Sequence, residues 1–234
     1  MAEDILIVIS TYNRASMLLR LLEDINREVQ RPFKVLIYND GSTEDYSQVS
    51  DYLRKEMRNS VYKIVDHHGK KKYYKLNGLI YRDLISERFR YFIQMPDDVR
   101  LVKNFGQEVI SRYHASRVEV LNILITTSFW DLVKKENMNV YKQGSYSFVN
   151  KTWVDMCYIT TREVLSRLRF IFPVVADSWF SKRSSSGCGT ALTRALTDKG
   201  ARIAISAESL VLHDDHQSMM NPKKYRNYSR KSHV

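Results

Sequence analysis

The sequence predicts an α/β fold with a mostly parallel central sheet flanked by helices. Three observations predict it. Short apolar runs recur at residues 5–9, 34–38, 61–65 and 91–93. Stretches with apolar residues at helical spacing separate them, and each run ends in a loop of polar or turn-forming residues. Strand and helix in alternation imply parallel neighbours joined by right-handed crossovers. With 234 residues and 44% hydrophobic content, the chain can bury one sizeable core or two small ones.

Residues 5–9 form the first strand, followed by Ser10-Thr11-Tyr12-Asn13. Leu18, Leu21, Leu22, Ile25 and Val29 then recur as one apolar stripe of a helix. The strand at 34–38 leads into Asn39-Asp40-Gly41-Ser42, where Ser42 with Asp45 resembles the cap of a helix running to about Lys55. A third strand at 61–65 is followed by a Lys-rich loop with Lys70, Lys71, Lys72 and Lys75. Leu76, Leu79, Ile80 and Leu84 mark the next helix. The fourth strand, from Tyr91, stops at Met95-Pro96 and delivers Asp97 and Asp98. Beyond it the pattern predicts a helix at 104–115, a strand at 120–126, a loop or hairpin over 129–150 and a strand at 156–160. Thr160 with Glu163 reads as a capping box for a helix at 161–169. A helix at 190–199 closed by Gly200 and strands at 201–205 and 210–212 complete the reading.

Two carboxylates at the end of a strand suit a divalent cation, because Mg2+ and Mn2+ take hard oxygen ligands and keep positions open for substrate phosphates. Pro-Asp-Asp is also ordinary turn chemistry, so the pair alone decides nothing. In open α/β sheets, however, ligands bind outside the carboxyl ends of the strands. Tyr12, Asp40 and Asp97-Asp98 all stand just after strands, which places them within reach of one site.

Together, IVISTYNR, VLIYNDGST and IQMPDDV resemble the nucleotide-sugar-binding half of family-2 glycosyltransferases with the GT-A fold, over roughly residues 4–105. The resemblance implies a UDP-sugar or similar donor with Mn2+ or Mg2+. By motif position Thr11, Tyr12 and Arg14 would meet the donor and Asp40 the base or ribose. Asp98 would hold the metal, and Asp97 the ribose or donor sugar. His213, directly after a strand, resembles the histidine that many GT-A enzymes place on the metal, with His216 as fallback. An acid in the second half would act as base, here Asp177 or Asp155. Asn39 departs from the pattern where an aspartate is frequent, and Pro96 where an acidic triplet often begins. The SMMNP stretch after His216 resembles phage-type enzymes. No glycine-rich pyrophosphate loop follows the first strand, which disfavours a nucleotidyltransferase.

The chain carries 37 Lys and Arg against 26 Asp and Glu, a net charge of +11. Such an excess favours polyanionic partners, and Lys70, Lys71 and Lys72 are expected on the acceptor side with Tyr146, Trp153 and Trp179. DNA with hydroxymethylated bases is the expected acceptor. An envelope or lipid-linked glycan at an anionic membrane surface is the alternative, and a non-catalytic nucleic-acid binder on the same fold the second alternative. The expected organisation is a donor half at 1–105, an acceptor half at 106–216 and a basic tail at 217–234. Cys157 and Cys188 are expected as free thiols. No apolar run is long enough to span a bilayer, and MAEDILIVIS lacks the positive start of a signal peptide, so a cytoplasmic location is expected.

Overall fold

In the computed structural model, Ile5, Leu6, Ile7, Val8 and Ile9 are all at most 1% exposed, so strand β1 (Ile5–Thr11) is buried on both faces. The structure describes residues 4–125, 133–135, 138–150, 153–154, 156–176 and 187–213, with backbone only at 69–71. Successive side chains of a strand point to opposite faces. Ile5, Ile7 and Ile9 therefore join one core cluster, and Leu6 and Val8 the other.

Around β1 lie α1 (Ala15–Glu28), β2 (Phe33–Asp40), α2 (Ser47–Glu56), β3 (Val61–Val65), α3 (Gly69–Asp83), β4 (Tyr91–Pro96), β5 (Val99–Leu101) and α4 (Phe105–Ser116). There follow β6 (Val120–Asn122), β7 (Val140–Gln143), β8 (Tyr146–Asn150), β9 (Tyr158–Thr161), α5 (Arg162–Arg167), α6 (Cys188–Thr197), β10 (Ile203–Ser206) and β11 (Val211–His213). Leu18, Leu21, Leu22 and Ile25 of α1, Val49 and Leu53 of α2, and Phe105 and Val109 of α4 cover one face of the sheet. Leu76 and Ile80 of α3, Val164 and Leu165 of α5, and Leu192 and Leu196 of α6 cover the other. Each such fully buried aliphatic side chain contributes about 1.5–3 kcal/mol of transfer free energy. At the start of α6 the packing reaches the main chain. A Cβ on Gly189 would stand 2.2 Å from the carbonyl oxygen of Val154, so only glycine fits there.

The main sheet has nine strands in the order β3-β2-β1-β4-β9-β6-β10-β8-β7. It is mixed rather than mostly parallel, which corrects the sequence expectation. β1–β2, β2–β3, β1–β4 and β6–β10 are parallel, whereas β4–β9, β6–β9, β8–β10 and β7–β8 are antiparallel. The strand–helix alternation holds through β4; β9 then enters between β4 and β6 running the other way. β5 and β11 form a separate antiparallel pair.

Several boundaries also differ from expectation. Helix α2 begins at Ser47, because Ser42 is engaged elsewhere and Asp45 accepts the Ser47 amide at 2.8 Å. The Lys-rich segment is not a loop; the backbone is helical from Gly69. The cap of α5 is Thr161, whose hydroxyl accepts from Val164 N, while the Thr160 hydroxyl donates to the Glu119 carbonyl at 2.7 Å. The expected strand at 120–126 ends at Asn122. The excursion over 129–150 does contain a hairpin, β7–β8, turning at Gly144. Both cysteines are buried thiols. No helix among the described residues is long and apolar enough to cross a membrane.

Candidate active site

Parallel register brings the ends of the first strands into one row. Thr11 pairs with Asn39, Asp40 with Val65 and Ser10 with Pro96. In the order β3-β2-β1-β4 the chain reverses direction of winding between β1 and β4, the position where open α/β sheets form their crevice. The loops after β1, β2, β3 and β4 converge there.

The loops after β1 and β2 are stitched together. Asn13 sits at φ 50, a left-handed conformation that asparagine tolerates better than most residues. Its Oδ1 accepts from Thr43 N at 2.8 Å, and its own amide donates to Ser42 Oγ at 2.9 Å. The Tyr46 hydroxyl accepts the Arg14 amide at 3.0 Å and bonds the Thr11 hydroxyl at 2.8 Å. Thr11 is thus buried and turned toward Tyr46, while Tyr12 is half-buried.

The Tyr12 ring stacks on His67 with centroids 4.3 Å apart. Asp40 lies beside that stack, 5% exposed, and is held by the segment after β3. Its Oδ1 accepts from His68 N at 2.8 Å and lies 2.7 Å from His68 Nδ1; His67 Nδ1 is 2.8 Å from the Asp40 carbonyl oxygen. Gly41 turns the chain away at φ 68, in a space where a Cβ would meet His67 N at 2.8 Å. An aromatic platform and a fixed carboxylate acceptor now stand side by side.

On the other side of β1, Asp97 and Asp98 are each 3% exposed. Arg14 Nη1 donates to Asp97 Oδ1 at 3.0 Å and to Asp98 Oδ2 at 2.8 Å. His213 reaches the pair because β11 pairs with β5 and sets His213 opposite Val99. Its Nδ1 lies 3.5 Å from Asp98 Oδ1 and 3.3 Å from the Asp98 carbonyl oxygen. A carboxylate oxygen and an imidazole nitrogen facing each other make a donor set that suits Mn2+. No group of three His, Cys, Asp or Glu side chains forms a metal cluster among the described residues. Asp98 and His213 would therefore leave most coordination positions to substrate oxygens and water.

Burial raises the Asp97 carboxyl to about 6, against the attraction of Arg14 and with the help of the neighbouring Asp98 charge. Burial works against the charge of Arg14 too, but Asp97 and Asp98 leave it above its ordinary value. Between about pH 4 and 6 the folded protein holds a proton on the pair that the unfolded chain has released, so this group's contribution to stability declines as pH rises through that window. Asp97→Asn is expected to flatten that decline, measured as thermal unfolding of the metal-free protein at pH 4.5 and 6.5.

Asp24, on α1, anchors the segment that follows the acidic pair. It is 1% exposed, and its carboxylate accepts from Arg100 Nε at 2.6 Å, Arg100 Nη2 at 2.7 Å and Leu101 N at 3.1 Å. Burial opposes its charge, yet Arg100, the Leu101 amide and Arg27 keep the carboxyl below its usual range. It ties β5 to the helix that Arg14 opens.

Thr11, Tyr12, Arg14, Asp40, Asp97, Asp98 and His213 are thus brought together at one end of the sheet. Of the residues expected to meet the acceptor, Tyr146 lies on β8 with the Arg112 guanidinium 5.1 Å from its ring centre, and Trp153 packs on the small cluster of Val133, Val149 and Ile205. Lys72 is exposed on the first turns of α3, and Lys70 and Lys71 share that turn. Asp155, Asp177, Trp179, His216 and the tail at 217–234 lie outside the described residues. Sequence reasoning missed His67, His68, Tyr46 and Asp24. The two histidines had a visible signal, since they follow a strand end as Tyr12 and Asp40 do.

Residues 6–78 match the family model Glycosyl transferase family 2. A Rickettsia bellii protein described as an uncharacterized glycosyltransferase is 33% identical over 52 residues, 22% of this chain and 8% of that protein. Among solved structures, S. aureus TarS 1-349 in complex with UDP-GlcNAc superposes with a TM-score of 0.63 at 14% identity, covering 95% of this chain and 62% of that one. The mannosyltransferase PcManGT from Pyrobaculum calidifontis, in complex with GDP-Man and Mn2+, gives 0.55 at 13% identity, covering 88% and 57%. The chain spans less than two thirds of each of these proteins. The fold is that of GT-A glycosyltransferases, with a mixed sheet.

Proposed function

We propose that the chain is a glycosyltransferase that moves a sugar from a nucleotide-sugar donor to a hydroxyl acceptor. The observation that carries this reading is the convergence of the Tyr12–His67 stack, the anchored Asp40 and the Asp97–Asp98 pair, much of it within the stretch that matches the family model. Tyr12 and His67 offer a face for the nucleobase, and Asp40 accepts a hydrogen bond from base or ribose. Holding the nucleoside fixes the reactive carbon in line with its acceptor. Asp98 and His213 would hold a divalent cation. Such an ion, when bound, offsets the charge that develops on the diphosphate leaving group. Asp97 would accept from ribose or donor sugar. Asp177 or Asp155 would take the proton from the acceptor hydroxyl.

The complexes of TarS with UDP-GlcNAc and of PcManGT with GDP-Man and Mn2+ support a UDP- or GDP-sugar donor with Mn2+. The net charge of +11 supports a polyanionic acceptor, and DNA carrying hydroxymethylated bases is the form we put first. The same charge would suit a glycan acceptor at an anionic membrane surface.

A screen of nucleotide sugars with Mn2+, read by mass on modified DNA and on glycan acceptors, tests both levels. One donor is expected to be consumed with a single sugar increment on one acceptor. UDP or GDP at a hundred times its Kd should stabilise the fold by about 2.7 kcal/mol. No stabilisation by any nucleotide and no donor consumption would sink the reading, and an increment on glycan alone would move the acceptor to the membrane surface.

A further inference from the structure

We infer that Arg14 is the resident counter-cation of the acidic pair, which a divalent metal must displace, and that its guanidinium then passes to the donor diphosphate, so that metal and nucleotide bind together. The inference rests on the donor-site reading above and concerns a residue whose role there is otherwise only contact with the donor.

Three features of the site carry it. Arg14 Nη1 alone bonds both carboxylates, at 3.0 and 2.8 Å, on a side chain only 13% exposed. The main chain cannot follow the side chain if it moves, because the Arg14 amide is bonded to Tyr46 and α1 begins at the next residue. Finally, Arg14 Nε is buried with no hydrogen-bond partner, and so is Asp97 Oδ2. A guanidinium normally meets an anion through two parallel N–H bonds. Here one nitrogen does all the pairing, and a buried donor is left over for an acceptor that the protein does not supply.

The charges then set the order of events. Two carboxylates and one guanidinium leave the buried cluster at about −1 when both acids are ionised. Bringing a divalent ion onto Asp98 places two cations on one carboxylate. Inside a buried site a single and a double positive charge held on the same carboxylate repel far more strongly than they would in water. That repulsion opposes the metal until another anion arrives. A diphosphate supplies it: its oxygens can ligate the ion and at the same time accept the freed guanidinium, including the idle Nε. Metal and nucleotide are therefore positively coupled, and by linkage each raises the affinity of the other by the same factor.

Mn2+ binding measured by the loss of the free-ion electron paramagnetic resonance signal tests this without turnover, on wild type, Arg14→Met, Arg14→Lys and Asp98→Asn, with and without UDP. Wild type is expected to bind Mn2+ weakly alone and at least tenfold more tightly with UDP. Arg14→Met should bind Mn2+ alone at least tenfold more tightly than wild type, and its gain from UDP should shrink. Arg14→Lys, which keeps one charge in a more hydrated form, should fall between them and carries the test should Arg14→Met not fold. Mn2+ affinity in both Arg14 variants at or below that of wild type, while Asp98→Asn abolishes binding, would overturn the inference and leave the donor site standing. Absence of Mn2+ binding in every form, with UDP present, would overturn both.

Discussion

Asp98→Asn is expected to lower metal-dependent sugar transfer by about 10²–10³-fold at a Mn2+ concentration that saturates the wild type, with the fold intact. The expectation follows from geometry. Asp98 faces His213 with one oxygen and Arg14 with the other, at 3.5 and 2.8 Å, so it stands where protein, metal and leaving group would meet. Removing one preorganised electrostatic partner of a transition state costs that range of rate, about 3–4 kcal/mol. Asparagine keeps the shape of the side chain and can still accept from Arg14, so the buried cluster retains its packing. Initial rates at the donor and Mn2+ concentrations that saturate the wild type, beside a thermal melt, separate loss of activity from loss of fold. Full metal-dependent activity in this variant would mean that the ion sits elsewhere.

The largest stability effect away from the chemistry is expected at Asp24. Replacing it with alanine leaves the Arg100 guanidinium and the Leu101 amide without the carboxylate they share. Breaking one side of a buried pair costs about 3–5 kcal/mol. The Arg100 side chain is 35% exposed, and water recovers part of its hydration, so about 3 kcal/mol is the better figure. In a chain of this size that lowers Tm by roughly 6–12 °C. A shift below about 2 °C by calorimetry would show that Asp24 does not hold β5. Because β5 leaves directly from Asp98, a moderate loss of transfer activity should accompany the fall in Tm.

Asp24 also shows where sequence stops being informative. In its helix it reads as one more charge on a solvated face, and its burial is decided by an arginine 76 residues further on. The first four strands, by contrast, were legible because each is an apolar run ended by turn residues, and parallel register then aligns those ends without further instruction. Asp40, Asp97, Asp98 and Tyr12 were legible for the same reason. His213 was legible as a residue ending a strand; that it meets Asp98 comes from the β5–β11 pairing, and such short strands carry little pattern. Strand direction in the second half was illegible on similar grounds. β6, β9 and β10 are three or four residues long and nearly all buried, so they present the same apolar text whichever way they run. The mutual grip of Arg14 on both acids was hidden too: motif position set Arg14 against the donor, and nothing local to the Tyr-Asn-Arg loop foretells two carboxylates 83 and 84 residues further on.

The seat of β9 between β4 and β6 has a consequence for how the chain comes to be folded. During synthesis β1 to β4 can pair as soon as residue 96 has emerged, yet the outer edge of β4 stays bare until residues 158–161 arrive. For that interval a buried, apolar strand offers its free amides and carbonyls to any passing strand. The nascent protein is therefore most vulnerable to intermolecular pairing while residues 97–157 are being made, and its slowest folding step is expected to be the closure of that long segment onto β4.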